Sequence, residues 1–266
     1  MAAPFDHIAS PYHSLFTPSA IGQLQRKFAW KYIESVIPDL PGFEMLELNR
    51  SETEDISAFE DGEFRMVATD ISEEMLKATQ KKSEPMLMKQ RVSAHAFHGD
   101  RFEENPLGKK FDLIFSNFGN LNYLSPEAVK NLFQRIPEML NPGGRFVGVV
   151  MPKCCVWEMV FFSMRFQFRK AFRRFGAAKG LYDCFGNEVK TWFYYPRQIR
   201  RWSRERFNTV AIRPIGLALP SAYLEAFVTF KRQWLLRLNR LEKKFCDKRR
   251  FAGFADNFIF DLQVKS

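Results

Sequence analysis

Two acidic residues, Glu47 and Asp70, stand 23 positions apart, each closing an apolar run, "FEMLELN" (43–49) and "FRMVATDIS" (64–72). A carboxylate at the end of a second strand can accept hydrogen bonds from both hydroxyls of a ribose. That spacing points to an adenosine-containing ligand, although a strand-terminal Asp also serves as a helix-start or turn residue. Between the two runs lies "LELNRSETEDIS" (46–57), where a doubly wound nucleotide-binding fold carries its glycine-rich turn. Here residues 43–61 contain no glycine.

The elements around these residues alternate in character, which predicts a parallel sheet with crossover helices. The runs at 43–49 and 64–72 read as the first two strands, and "VSAHAFHGD" (92–100) as a third. "KFDLIFSNF" (110–118) is a continuous apolar run of the doubly buried kind, and "RFVGVVMP" (145–152) a fifth strand. Ser72 before "EEMLKATQKK" is an N-cap with an acidic first turn behind it. Ser125-Pro126-Glu127 opens a helix that is expected to stop at "NPGG" (141–144). Beyond 152 the pattern predicts one long helix over 156–175 and a strand then a helix from Pro196 in 187–202. It also predicts a strand from 207, an amphipathic helix over 223–245 and a last strand in 255–265.

The chain of 266 residues with 29 Phe is long enough for one α/β domain with a helical embellishment. Its net charge of +10 is uneven: residues 161–250 hold 22 Lys+Arg against 6 Asp+Glu, and the remainder 18 against 24. A basic C-terminal half suits an anionic partner, such as lipid headgroups, a phosphorylated substrate or nucleic acid; a solvated helical face is the plainer alternative. Cys154, Cys155, Cys184 and Cys246 lack metal-ligand spacing, and two are adjacent, a poor disulfide framework. The opening "MAAPFDHIAS" lacks a basic and apolar leader, and no apolar run reaches the ~18 residues of a membrane span. The expectation is a reduced, cytoplasmic protein.

Taken in order, "EMLELN", "VATDISEEML", "HGD", "FDLIFSNFGNLNYLS" and "MLNPGGRFVGVVMP" resemble the class I S-adenosylmethionine-dependent methyltransferases. The opening "FDHIASPYHSLFTPSAIGQLQRKFAW" is similar to the N-terminal cover helix of one bacterial, methyltransferase type 11-like branch, which also carries "ELN". The ending "GLALPSAYLEAF…ADNFIFDL" resembles that branch too. The resemblance implies a doubly wound, mostly parallel seven-stranded sheet. It divides the chain into an N-terminal cover (1–40), a cofactor-binding core (41–152), acceptor-side helices and lid (153–250) and a last strand (251–266). The implied cofactor is S-adenosylmethionine, and no metal is implied. Asp70 would hold the ribose diol, with Ile71 and Met75 near the adenine and Asp100 and Arg101 at its edge. Asn117 and Phe118 would line the cleft between cofactor and acceptor, Tyr12 would close over the methionine end, and Glu47 would lie beside the cofactor's carboxylate.

The loop after the first strand departs from the family pattern of Gly-x-Gly-x-Gly, or Asn-x-Gly-x-Gly in this branch. The matching positions are Asn49, Ser51 and Thr53. Asn tolerates a left-handed backbone, whereas Ser51 and Thr53 would each be strained by roughly 1–2 kcal/mol in the glycine geometry. Glu52 and Glu54 add negative charge beside the cofactor's carboxylate, with Arg50 as a possible offset. Ser51 and Thr53 also make good caps for a helix starting near Glu54, whose N-terminus would offer donors to an anion. Three readings follow: a methyltransferase with a remodelled loop, a pseudo-methyltransferase kept as a binding or regulatory scaffold, and a dinucleotide oxidoreductase. The last is disfavoured by the missing G-x-G-x-x-G.

Methyl transfer from a sulfonium is mainly a matter of alignment, and it needs a base only for an acceptor that holds its proton. Candidates for that base are His13, His98, Tyr123, Tyr194 and Tyr195. The aromatic and basic stretches within 154–205 and 221–250 fit a small acceptor that is hydrophobic or has an anionic end. They also fit peripheral contact with an anionic membrane surface and, less well, nucleic acid.

Overall fold

The computed structural model describes residues 19–38, 42–48, 64–70, 92–96, 108–176, 179–182, 188–226 and 232–265. Five strands come first: β1 (Glu44–Leu48), β2 (Arg65–Asp70), β3 (Val92–Ala96), β4 (Phe111–Ser116) and β5 (Leu140–Val150). Later come β6 (Lys179–Tyr182), β7 (Glu188–Thr191), β8 (Phe207–Ile215) and β9 (Asn257–Val264). Seven of them form one sheet in the order β3-β2-β1-β4-β5-β9-β8. The neighbours from β3 to β5 are parallel, and β9 runs antiparallel between β5 and β8. β6 and β7 make a separate antiparallel pair. Met45, Leu46, Leu113, Ile114 and Phe115 are all completely buried, as expected for strands covered on both faces.

The two faces carry separate apolar clusters. On one, α1 (Ala20–Glu34) lays Ala29, Trp30 and Ile33 against Met45, Leu113, Phe115 and Ile259. Ser19 caps α1 by accepting the Gly22 N–H at 3.1 Å. Tyr32 then fastens the helix to the sheet by donating to Asp261 Oδ2 at 2.5 Å, where Arg145 also pairs with the same buried carboxylate. On the other face, α2 (Pro126–Arg135) and α5 (Pro196–Ser203) cover Ile114, Phe146 and Phe260 through Phe133 and Ile199.

Three expected boundaries move. α2 ends at Arg135 rather than at the Asn-Pro-Gly-Gly stretch, and a 3-10 turn follows over Ile136–Met139. Pro137 has no N–H to give to the α-helical ladder, so the helix cannot continue through it. Asn141 to Gly144 fall inside the span of β5. The pairing with β4 jumps there from Phe111↔Leu140 to Leu113↔Arg145, so this stretch bulges out of the ladder.

The predicted long helix over 156–175 is instead α3 (Val156–Ser163), an elbow, α4 (Phe168–Ala171) and a 3-10 turn (Arg173–Phe175). The break lies at Phe166, whose backbone takes the left-handed φ of 58°. The predicted helix over 223–245 begins as a 3-10 turn, Ala222–Ala226, and α6 spans Arg232–Phe245.

α6 also brings a buried anchor. Glu242 accepts the backbone N–H groups of Gly216 (2.8 Å), Leu217 (3.3 Å), Ala218 (2.7 Å) and Leu219 (3.1 Å), closing the turn after β8. Gly216 sits at φ +75°, and a Cβ there would come within 2.6 Å of Gln25 Nε2. Only glycine lets the turn pass that close.

Candidate cofactor and acceptor site

The strand order reverses between β1 and β4, which is where an open α/β sheet opens a crevice beyond the strand ends. The register Leu48↔Ser116 brings the carboxyl ends of those two strands level. Glu47 is completely buried, and its carbonyl accepts the Thr69 hydroxyl at 2.9 Å, joining the ends of β1 and β2. Asp70, the last residue of β2, pairs with Ala96 of β3, so its backbone lies at this same edge. Asn117 follows β4, is buried, and accepts the Phe118 N–H through Oδ1 at 2.8 Å. Phe118 is half-buried against the cluster that holds Trp30 and Phe115.

Gly119, at φ +73°, then turns the chain into a 3-10 turn, Asn120–Tyr123, and Asn120 Nδ2 reaches back to the Leu48 carbonyl at 3.5 Å. The backbones of Glu47, Asp70, Asn117 and Phe118 therefore lie at one edge of the sheet. Tyr12, His13, Asn49, Ser51, Thr53, Ile71, Met75, His98, Asp100 and Arg101 lie outside the described residues.

A residue that sequence reasoning missed sits at the end of β4. Ser116 is buried, and among the described residues its hydroxyl has no hydrogen-bond partner. An orphaned buried hydroxyl is uncommon, and one at the switch-point crevice fits a polar group of a bound ligand.

The chain beyond the ends of β4 and β5 is organised by Asn122, also missed. Its Nδ2 donates to the carbonyls of Met151 (3.2 Å) and Trp192 (2.5 Å), and its Oδ1 accepts the Met151 N–H at 2.9 Å. The Asn122 carbonyl accepts the Trp192 N–H at 2.7 Å, and Tyr194 N–H bonds to Met151 at 3.3 Å. One buried amide thus ties Trp192 to Met151, and Met151 in turn holds Tyr194, beyond the ends of β4 and β5. The repeated Asn in "NFGNLNYLS" was the available signal.

Tyr194 is buried and gives its hydroxyl to the Leu124 carbonyl, and burial raises its pKa further, which leaves it a poor base. Tyr195 is half-buried, with Lys153 Nζ 5.6 Å and the Arg197 guanidinium 4.9 Å from its ring centre. Tyr123 is half-buried at the end of its 3-10 turn.

A buried charge cluster stands beyond the end of β5. Arg174 Nη2 donates to Glu158 Oε1 (2.5 Å) and Asp256 Oδ1 (2.7 Å), and Nη1 to the Asp256 carbonyl (2.8 Å). Arg173 forks onto both oxygens of Glu158 at 2.8 and 2.9 Å, and Ser221 donates to Asp256 at 2.6 Å. Glu158, Asp256 and Cys155 come close enough together to suggest a metal site. The Arg174 guanidinium already bridges the two carboxylates, and burial pushes the Cys155 thiol up to about 12, so the ligand set is poor. Arginines of the 156–175 stretch, which the sequence suggests as surface charges, include this fully enclosed one.

Residues 53–144 match the family model of a methyltransferase domain. In structure, the chain is similar to an S-adenosylmethionine-dependent methyltransferase from Clostridium acetobutylicum. The identity is 14% and the TM-score 0.57, over 99% of this chain and 100% of that one. A methyltransferase from Mesorhizobium loti gives 14% identity and a TM-score of 0.54, over 90% and 99% of the two chains. The geranyl diphosphate C-methyltransferase of Streptomyces coelicolor, in complex with magnesium, geranyl diphosphate and S-adenosyl-L-homocysteine, gives 12% and 0.55 over 91% and 80%. No curated protein matches the chain in sequence.

The chain has the class I methyltransferase fold. Within the methyltransferase fold, the crevice beside Glu47, Ser116 and Asn117 is the switch point. The Asn122 strap lies beyond the ends of β4 and β5, and the Arg174 cluster beyond the end of β5 beside the start of β9.

Proposed function

We propose that the chain transfers a methyl group from S-adenosylmethionine to a small acceptor that is hydrophobic and carries an anionic end. The observation that carries the cofactor half is the switch-point edge. It gathers a buried acid at the end of β1, an acid at the end of β2 and, at the end of β4, a buried hydroxyl that has no partner among the described residues. Asp70 would take the ribose diol, Ser116 and Asn117 a polar group of the ligand, and Glu47 would hold the turn beside it. The remodelled loop at Asn49, Ser51 and Thr53 completes the pocket in this reading, with Tyr12, Ile71, Met75, Asp100 and Arg101 around the remainder. When bound, the cofactor supplies an activated methyl on a sulfonium.

The chain's own part is alignment and exclusion of water, so positioning carries most of the rate. Trp192 and Tyr194 are fixed through Asn122 and Met151, and Phe118 would lie at the cleft between the two ligands. An aromatic lip flanked by Lys153 and Arg197 supports an acceptor with an apolar body and an anionic end. His13, Tyr123 and Tyr195 are the groups from which a base would be drawn, should the acceptor retain its proton. The structural neighbour in complex with geranyl diphosphate is consistent with an acceptor of that general kind.

The test is incubation with methyl-labelled S-adenosylmethionine and a panel of lipophilic carboxylates and phosphates beside their neutral analogues. Label in the anionic products supports the reading. If cofactor binds and no acceptor is labelled, the glycine-free loop favours a pseudo-methyltransferase instead.

A further inference from the structure

We propose that the elbow between α3 and α4 docks this protein onto anionic lipid bilayers. The proposal goes beyond methyl transfer and does not depend on it. Met164, Phe166 and Phe168 are 77%, 84% and 53% exposed, with Phe172 and Phe175 also exposed just beyond them. An apolar cluster of this kind on a surface marks a place of interaction.

The elbow is a defined structure. Phe166 N–H bonds to the Ser163 carbonyl at 3.0 Å and Gln167 N–H to that of Phe162 at 2.9 Å. Phe166 nevertheless holds φ at 58°, a conformation that L side chains avoid, and its ring is the most outward of the set. The turn that carries Arg173 and Arg174 back onto Glu158 leaves the Phe166 ring itself in water, where a bilayer interface would bury it.

The charges of this stretch are sorted by side. Arg173 and Arg174 turn inward onto Glu158, while Arg165, Arg169 and Lys170 stand exposed among the outward rings. No acidic residue occurs between Glu158 and Asp183. The outer face therefore combines aromatic wedges with cations, which complements headgroup phosphates above an acyl interior. Among the described residues no helix is long and apolar enough to cross a membrane, so the contact would be peripheral. Single-stranded nucleic acid fits less well. The rings of Phe166 and Phe168 cross at 81° and those of Phe172 and Phe175 at 50°, so they do not form a parallel platform for successive bases.

The experiment is sedimentation of the full chain with vesicles of phosphatidylcholine alone and of phosphatidylcholine containing phosphatidylglycerol. A labelled single-stranded oligonucleotide serves as a competitor at matched salt. The expected result is pelleting with the anionic vesicles only, unaffected by the oligonucleotide. Phe166→Ser with Phe168→Ser should weaken it about tenfold, and Arg169→Glu with Lys170→Glu by at least as much. Both pairs lie on the exposed face, so unchanged thermal unfolding checks that the variants fold. The proposal is overturned by equal pelleting with neutral vesicles, by pelleting with neither, by binding that the substitutions leave intact, or by displacement with the oligonucleotide. None of these outcomes bears on cofactor binding, which is measured without vesicles.

Discussion

Arg174 in the 3-10 turn after α4 and Glu158 in α3 meet at 2.5 Å inside the protein, with Asp256 on the other side of the same guanidinium. The pair ties the helical insertion to the residue before β9. Removing the Arg174 side chain leaves Glu158 with Arg173 alone and strips buried Asp256 of its cation, with only neutral donors such as Ser221 remaining. Arg174→Ala is therefore expected to cost about 3–5 kcal/mol in urea unfolding at neutral pH. Arg169→Ala, on an exposed cation nearby, should cost no more than about 0.5 kcal/mol.

The same cluster sets an acid limit. Burial alone would raise the Glu158 pKa, but the Arg174 and Arg173 guanidiniums outweigh it and hold it at about 2. A depressed carboxylate stabilises the fold above its unfolded pKa and loses that contribution as pH falls toward the folded value. Roughly 3 kcal/mol should disappear between the ordinary carboxylate range and about pH 2. Glu158→Gln should be less stable at neutral pH and show a flatter acid slope, read from unfolding midpoints across pH.

Thiol chemistry offers an independent check on burial. Burial raises Cys154, and it raises Cys155 to about 12, so neither supplies a thiolate at neutral pH. Iodoacetamide followed by peptide mass mapping should find both unmodified in the native protein and modified in guanidinium. Native labelling of Cys155 would contradict the enclosed cluster.

Asn122 should separate acceptor handling from cofactor binding. Asn122→Ala removes the bonds to Met151 and Trp192 and leaves buried backbone groups unsatisfied, at a cost of about 1–3 kcal/mol in stability. In the proposed reaction it should lower kcat/KM for the acceptor while cofactor affinity stays near that of the unaltered protein. An equal loss of both would mean that Asn122 serves the cofactor pocket.

Much of the fold was legible because strand burial writes itself into sequence. "DLIFS" and "RFVGVV" are apolar runs, and Ser125-Pro126 and Pro196 mark helix starts that the structure has. The 156–175 stretch was misjudged because its aromatic and basic residues fit a helix in every local respect. In the structure the chain turns back at Phe166, and Arg173 and Arg174 pair with Glu158, a contact that local sequence does not show. Ser116 and Asn122 were missed for a related reason. A small polar residue beside a strand end looks like any loop residue until the sheet shows what lies next to it. The edge formed by Glu47, Asp70, Asn117 and Phe118 was readable because it depends on strand ends alone.

Calorimetric titration of S-adenosylmethionine into the full chain tests the central claim most directly, beside the Asp70→Ala variant. The account predicts saturable heat with one ligand per chain and an affinity at least about tenfold weaker in the variant. A folded protein that gives no heat with the ligand at millimolar concentration, or binds it equally well without the Asp70 carboxylate, would contradict it.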